Sequence, residues 1–429
     1  MIKKSLVNLI NQNFKTLLLR NFSSMHESAG YPSSSTKLSQ EALDKLTEFP
    51  EPKGEKLTLS WFQDKVWSQA AKFEIPPEAV ICGMQANIFK IVLTSTCGSS
   101  KSIIGKRMVP SELPAKANLT IWKDFLESAK REVEFYQNLK NTKIQHLFPK
   151  VYYSNGYLDD QDLMNSFYLM LMEDVSDNYY QNTSMNANQA KDLMKCLAEF
   201  HASNWSKYNP DDVTRGTFWV LSRRKPLGEV ENAEDTWKGI LGRFPQFENL
   251  TPNVQDLAIR LASKAEILDD FIASNLFTTV HGDCKGWNIF FKKESCQNSD
   301  LSPVLFIDLQ WTGIGHPLQD VAYSLTTTLE PELLSSMDDF VDIYLEHLKT
   351  KVKEVKNETI DAEIMKKDFN KVWLDYSRVI ITGLWKRFSP ESIEKNKSII
   401  GPSMIGRSLP HAEFIIKRID HLLDDCDNN

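Results

Sequence analysis

The stretch from Phe277 to Asp308 constrains this chain more than any other. Three short apolar runs, Phe277 to Val280, Asn288 to Phe291 and Val304 to Ile307, have the length of strands and are too brief for helices. Between the first two lies the octapeptide His281-Gly282-Asp283-Cys284-Lys285-Gly286-Trp287-Asn288, and Asp308 follows the third run directly. Asp283 therefore stands at the start of a loop and Asn288 closes it. The two lie five residues apart, so a tight loop can point both side chains into one cleft. If the second and third runs pair as a hairpin through 292–303, Asp308 approaches Asn288 as well.

Those residue types suit one chemistry. Phosphoryl transfer from a nucleotide needs a carboxylate to orient the attacking hydroxyl and accept its proton. It also needs hard oxygen ligands for Mg²⁺ and a cation to position the phosphates. Asp283 can serve as the carboxylate, Asn288 and Asp308 as the metal ligands, and a lysine such as Lys285 as the cation.

The octapeptide resembles the catalytic loop of protein-kinase-like small-molecule kinases: the aminoglycoside phosphotransferase, choline kinase and ecdysteroid-kinase-like families. Ile307-Asp308-Leu309-Gln310 is similar to their metal-binding segment. Gly315-His316-Pro317-Leu318-Gln319-Asp320-Val321-Ala322 resembles the element that follows it, and Leu197-Ala198-Glu199-Phe200-His201-Ala202 the helix that precedes the loop. The likeness spans roughly residues 60–420 and is sharpest over 278–323. It implies Asp283 as catalytic base, Lys285 as a phosphate-contacting catalytic residue, and Asn288 and Asp308 as metal ligands, with ATP and Mg²⁺ as cofactors. It also implies that His281 and Asp320 brace the catalytic loop rather than react, and that backbone from Met172 to Val175 passes the adenine.

Upstream, kinases place a lysine on the third strand against a glutamate on the next helix. Ile103-Ile104-Gly105-Lys106 ends in such a lysine, and Glu132 lies in a Glu-x-x-Phe-Tyr pattern. Lys101, Arg107 and Glu134 are the alternatives one frame away. Gly83 is the one glycine in Cys82-Gly83-Met84-Gln85-Ala86-Asn87, so a full GxGxxG is missing, and Gly83 with Ala86 is left to bring backbone amides near phosphate. Trp287 and Trp311 flank the central segments and can wall either a substrate pocket or the core.

The rest of the chain agrees in outline. A β-rich first third includes Ile81 to Thr94 and Ser102 to Val109, with strand then helix expected within 56–70. Helical periodicity runs from Leu119 to Leu139. Phe167 to Met172 reads as a strand and 187–205 as a helix. Residues 206–250 look like a polar, irregular insertion, a helix follows over 254–274, and 318–424 is mostly helical. The expected fold class is α+β, a bilobal protein-kinase-like fold with a β-rich N-lobe over 56–175 and a larger, mainly helical C-lobe over 176–424.

A net charge of −7 gives no basic face for nucleic acid, and no apolar run reaches membrane-spanning length. The six cysteines form no CxxC pair and read as reduced thiols, Cys284 as a small filler. Residues 1–26 carry Lys3, Lys4, Lys15 and Arg20, with no acid before Glu27 and apolar residues at helical spacing. That is the composition of a mitochondrial presequence, joined by a linker over 27–55. A start at Met25 would leave a cytoplasmic form.

The expected activity is phosphate transfer to a hydroxyl of a small molecule. The alternatives are a pseudokinase that binds nucleotide or a partner without transfer, and, more remotely, a metal-dependent hydrolase. The sequence selects no acceptor and no oligomeric state.

Overall fold

In a computed structural model of the protein, residues 46–48, 56–76, 79–82, 86–110, 119–140, 142–397 and 403–427 are described. Residues 1–26, nearly all of 27–55, and Gly83 lie outside these. The chain divides into two units, Met1–Asn178 and Tyr179–Asn429.

The first unit is built on an antiparallel sheet. Its strands are β1 (Ala70–Glu74), β2 (Val80–Cys82), β3 (Asn87–Ser95), β4 (Ser100–Met108), β5 (Val151–Tyr157) and β6 (Phe167–Glu173). They lie in the order β1-β3-β4-β6-β5, with β2 also paired to β3. Period-2 alternation decides which way each strand faces. Phe89, Ile91 and Leu93 of β3 and Ile103 of β4 enter a core with Phe62, Phe167, Leu169 and Leu171. Gly105 shares that inward face, and a Cβ there would come within 2.3 Å of the Phe89 ring, so glycine lets the ring lie flat on β4. Its neighbour Lys106 must therefore point the other way. Gly98, at φ 85°, makes the turn between β3 and β4.

Near the start of this unit the order of elements is the reverse of the expected one. Helix α1 (Leu59–Lys65) comes first and β1 second. The Thr58 side chain accepts from the Trp61 amide at 3.2 Å, and this N-cap starts a helix where the apolar alternation suggested a strand. Helix α2 (Leu119–Asn138) packs on β5 and β6.

The second unit is mainly helical. Its helices include α3 (Ala187–Ser203), α4 (Ala233–Arg243), α5 (Leu257–Ser263), α6 (Ala265–Ser274), α7 (Leu318–Thr328), α8 (Met337–Lys356), α9 (Ala362–Thr382) and α10 (Leu409–Asp427). α9 touches α4, α5, α6, α7, α8 and α10, which explains why its second half, from Val372 to Thr382, is buried all round. Two small antiparallel sheets are set among the helices. One orders β10 (Val304–Phe306), β9 (Ile289–Lys292) and β7 (Tyr179–Gln181); the other pairs β11 (Gly313–Gly315) with β8 (Thr278–Val280).

Two expectations change here. The helix expected over 254–274 is two helices that meet at Lys264. The stretch 206–250 is no loose insertion: Phe218, Trp219, Val220, Trp237 and Phe247 are buried, and the Trp237 indole donates to the Val254 carbonyl at 2.7 Å. Its apolar residues follow no single period, which hid them among the polar ones. No helix of the described residues is long and apolar enough to cross a membrane.

Candidate active site

In the second unit, β8 leads into the loop that carries Asp283. Gly282 takes φ 82°, a left-handed value, and a Cβ at that position would lie 2.0 Å from the Trp311 carbonyl oxygen. Only glycine meets both demands. After a short turn at Gly286–Asn288 the chain enters β9, which pairs with β10 as Ile289↔Phe306, Phe290↔Leu305 and Phe291↔Val304. The Ile307 amide then donates to the Asn288 carbonyl at 3.0 Å, so the register brings Asp308 beside the end of the loop. The hairpin expected through 292–303 is thus present. Asp308 sits at φ 64°, ψ 64°, a left-handed conformation that is uncommon outside glycine and recurs where function holds the backbone.

The Asp283 carboxylate is buried and held by three side chains. Lys285 Nζ donates to Oδ2 at 2.8 Å, Asn288 Nδ2 to the same oxygen at 3.1 Å, and Tyr323 Oη to Oδ1 at 2.8 Å. Asn288 Nδ2 also donates to the Asp283 carbonyl at 2.8 Å. Both of these Asn288 bonds use its nitrogen, so its amide oxygen is the end that could serve as an oxygen donor. Among the described residues no cluster of three or more His, Cys, Asp or Glu forms a metal cage. An amide oxygen and the Asp308 carboxylate are a hard, sparse donor set. Donors of that kind would suit a hard divalent cation such as Mg²⁺.

The loop is clamped from behind. Asp320, on α7, is fully buried and accepts from the His281 amide at 2.6 Å, the Gly282 amide at 2.9 Å and His201 Nε2 at 3.1 Å. Burial opposes its ionisation, but His201, the nearby His281 and the Gly282 amide outweigh this and hold its carboxyl below the usual range. His201 Nδ1 is bonded to Tyr344 Oη at 2.7 Å. The His281 ring makes a 2.9 Å hydrogen bond from Nε2 to the Ile307 carbonyl and accepts from the Asp283 amide on Nδ1 at 3.3 Å. His281 thereby ties the Asp283 loop to the Asp308 strand. Cys284 is buried, and burial, then Asp320 and Asp283, push its thiol well up, as suits an inert filler. Trp287 is buried too, with its carbonyl taken by Gln181. Trp311 is half-buried against Phe218, with the Arg223 guanidinium 5.6 Å above its ring.

The first unit holds its own buried charge pair. Lys106 Nζ lies 2.6 Å from Glu132 Oε2, both side chains being almost wholly covered. The frame alternatives go elsewhere. Arg107 faces inward and donates to the Glu48 carbonyl at 3.1 Å, Lys101 lies over the Tyr152 ring, and Glu134 pairs at the surface with Lys130. Met172 is a buried strand residue of β6 opposite Ile104 of β4. Just beyond it, Asp174 receives Lys90 at 2.6 Å and Ser102 at 2.7 Å, which pins the strand's exit to β3 and β4.

Tyr323 escaped the sequence reading, although a signal existed. It lies one helical turn after Asp320, so the two share a face of α7 and meet adjacent parts of the loop. Trp219 and Tyr376, which pack on Tyr323 with ring centroids 5.1 and 4.8 Å away, come from distant segments and carry no local signal.

The sequence pattern of the ecdysteroid kinase-like family matches residues 92–357. No curated protein matches the chain. Among solved structures, choline kinase LicA from Streptococcus pneumoniae is 16% identical with a TM-score of 0.39, over 84% of this chain and 98% of that one. The amicoumacin kinase hAmiN, solved with AMP-PNP, Ca²⁺ and Ami, is 14% identical with a TM-score of 0.40, over 83% and 91%. A microcompartment-associated aminopropanol kinase is 10% identical with a TM-score of 0.40, over 85% and 95%.

Proposed function

This chain belongs to the ecdysteroid kinase-like family, and from that premise we propose that it moves the γ-phosphate of ATP to a hydroxyl of a small molecule. One observation carries the reading. Asp283 is fixed by donors from its own loop and from α7, while the β9–β10 register delivers Asp308 next to Asn288. Such a carboxylate is set to orient the acceptor hydroxyl and take its proton. Asn288 and Asp308 would hold the metal through oxygen. In the second unit Lys285, already on Asp283, would meet phosphate charge; in the first unit Lys106, steadied by Glu132, is the nucleotide-binding lysine of this reading. Backbone at Met172 would pass the nucleotide, and Gly83, outside the described residues, is kept as a nucleotide-binding candidate from the sequence alone. Bound Mg-ATP would supply the phosphoryl group and offset its developing charge.

The test is phosphate transfer from labelled ATP into a metabolite extract by the purified chain. Asp283→Asn should lose at least about a hundredfold in turnover while still binding nucleotide. Wild-type-like turnover in that variant would end the mechanism. Nucleotide binding with no transfer by the wild type would assign the chain to the pseudokinases instead. A mitochondrial destination belongs to the same proposal, supported by the basic, acid-free composition of residues 1–26. Those residues fused to a fluorescent protein should reach mitochondria, and a diffuse signal would count against it.

A further inference from the structure

Asp308 stands in a turn whose two ends are held by different parts of the chain. On the near side, the Ile307 amide donates to the Asn288 carbonyl and the Ile307 carbonyl meets the His281 ring, so the Asp283 loop fixes where the turn begins. On the far side, the Trp311 carbonyl accepts the Thr217 amide at 2.9 Å, and the Thr312 hydroxyl donates to the Val280 carbonyl at 2.8 Å. Between these anchors Asp308 is left-handed, at φ 64°. A residue other than glycine stays there when its surroundings over-determine it. The near anchor is the catalytic loop itself. The far anchor at Trp311 comes from outside that loop.

Thr217, which supplies this anchor, is an outlier in its own right. It is β-branched, buried and at φ 71°. In that conformation its amide meets Trp311 while its carbonyl takes Arg223 Nη1. The same guanidinium donates from Nη2 to the Arg215 carbonyl at 2.9 Å and reaches the Gly216 carbonyl at 3.5 Å. Three consecutive carbonyls, 215 to 217, thus converge on one side chain. That guanidinium also lies 5.6 Å over the Trp311 ring, within reach of a cation–π contact. Arg223 therefore grips Trp311 twice, by its ring directly and by its carbonyl through Thr217. The neighbouring arginines are used otherwise. Arg215 forms a bidentate pair with Asp269 at 2.8 and 3.0 Å, and Arg224 pairs with Glu229.

We infer that Arg223 is a positioning residue for the Asp308 turn: it holds the Thr217–Trp311 anchor, and through that anchor keeps Asp308 beside the end of the Asp283 loop. The inference rests on the kinase reading in taking Asp308 as a metal ligand. A guanidinium suits the task because it presents five N–H donors in a rigid fork, keeps its charge and stacks flat on an aromatic ring. A lysine in its place would keep the charge and lose both the fork and the stacking plane. A cation acting directly on phosphate would survive that exchange; a grip on the turn would not.

The test compares Arg223→Gln and Arg223→Lys with the wild type in the full chain. The first readout needs no ligand. Backbone hydrogen exchange in peptides covering 212–218 and 308–314 should be about tenfold faster in both variants, with α8 unchanged. The second is metal affinity, read by water-proton relaxation of Mn²⁺ at saturating AMP-PNP. It should fall about tenfold in both variants, as loss of a residue that orients a metal ligand does, while AMP-PNP binding in EDTA stays within about twofold. Arg224→Gln is the structural control. It strips the buried Glu229 of this partner and should lower thermal stability, yet leave exchange at 308–314 and Mn²⁺ affinity within about twofold. Thermal unfolding checks that each variant folds. If neither Arg223 variant does, Trp311→Leu, which removes the ring under the guanidinium, should show the same loosening and decides the matter. Unchanged exchange at 308–314 in a folded variant, wild-type Mn²⁺ affinity, or full recovery by lysine would overturn the assignment. A wild type that binds no Mn²⁺, or an Asp308→Asn protein that binds it normally, would refute the metal reading of Asp308 instead. Faster exchange in the Arg223 variants would then still establish the grip on the turn.

Discussion

Replacing Asp320 measures how strongly the Asp283 loop is held. Its carboxylate is fully buried and accepts three N–H groups, from His281, Gly282 and His201. In Asp320→Ala both buried backbone donors lose their partner, and His201 loses one of its two. At about 1–3 kcal/mol for each orphaned donor, and with some relief from reorientation of His201, the loss should be about 4 kcal/mol. Asp320→Asn keeps the shape and one oxygen, so one donor meets an amide NH₂ and the loss should be about 2 kcal/mol. The folded-state carboxyl is held below its unfolded value, which lies near 3.9. The contribution is therefore fully present above that unfolded value and fades as pH falls through the lower native one. Urea unfolding at pH 7 followed by tryptophan fluorescence gives the midpoints. Comparison of the slopes shows whether the unfolding reaction itself has changed. Since Asp320 touches no reacting atom, folded Asp320→Asn protein should lose turnover through misplacement of Asp283. Stability within about 0.5 kcal/mol of wild type in the Ala variant would refute the clamp.

Two further perturbations follow from the same elements. Burial holds His316 down to about 3 and His411 down to about 4, so both stay neutral when folded but charge below about 6.5 when unfolded. Stability should then fall as pH drops from 7 to 5, by about 2 kcal/mol for each histidine, and His411→Asn should remove its share; urea midpoints that stay level over that range would contradict this. Gly282→Ala should abolish soluble expression or cut thermal stability severely, because its Cβ would meet the Trp311 carbonyl at 2.0 Å. Gly98→Ala has similar φ and nothing within 4 Å, and should cost only about 1–2 kcal/mol, so equal losses at the two positions would refute the steric argument.

The α+β, protein-kinase-like fold was legible because its signals are local. Short apolar runs, the spacing of Asp283, Asn288 and Asp308, and the period of α2 and α3 all lie within short windows. Lys106 and Glu132 were legible only as candidates, since strand alternation admits a frame shift. Gly105, pressed on Phe89, decides which residue faces which way. What stayed hidden is long-range. Trp219 and Tyr376 are brought to Tyr323 by the packing of α9, and no pattern within either segment announces that meeting. The reversed order of α1 and β1 has a different cause, one capping threonine whose hydrogen bond outweighs an ambiguous apolar pattern.

The segment around Thr217 runs as backbone along β11. Gly216 donates to the Ile314 carbonyl at 2.8 Å, and the Ile314 amide donates to Thr214 at 2.9 Å. β11 in turn pairs with β8, the strand that launches the Asp283 loop. A chimera that exchanged 206–250 for a relative's segment would thus re-lay an edge of the sheet from which the Asp283 loop springs. Such an exchange should carry 277–316 with it, so that both edges of the β8–β11 pair stay matched.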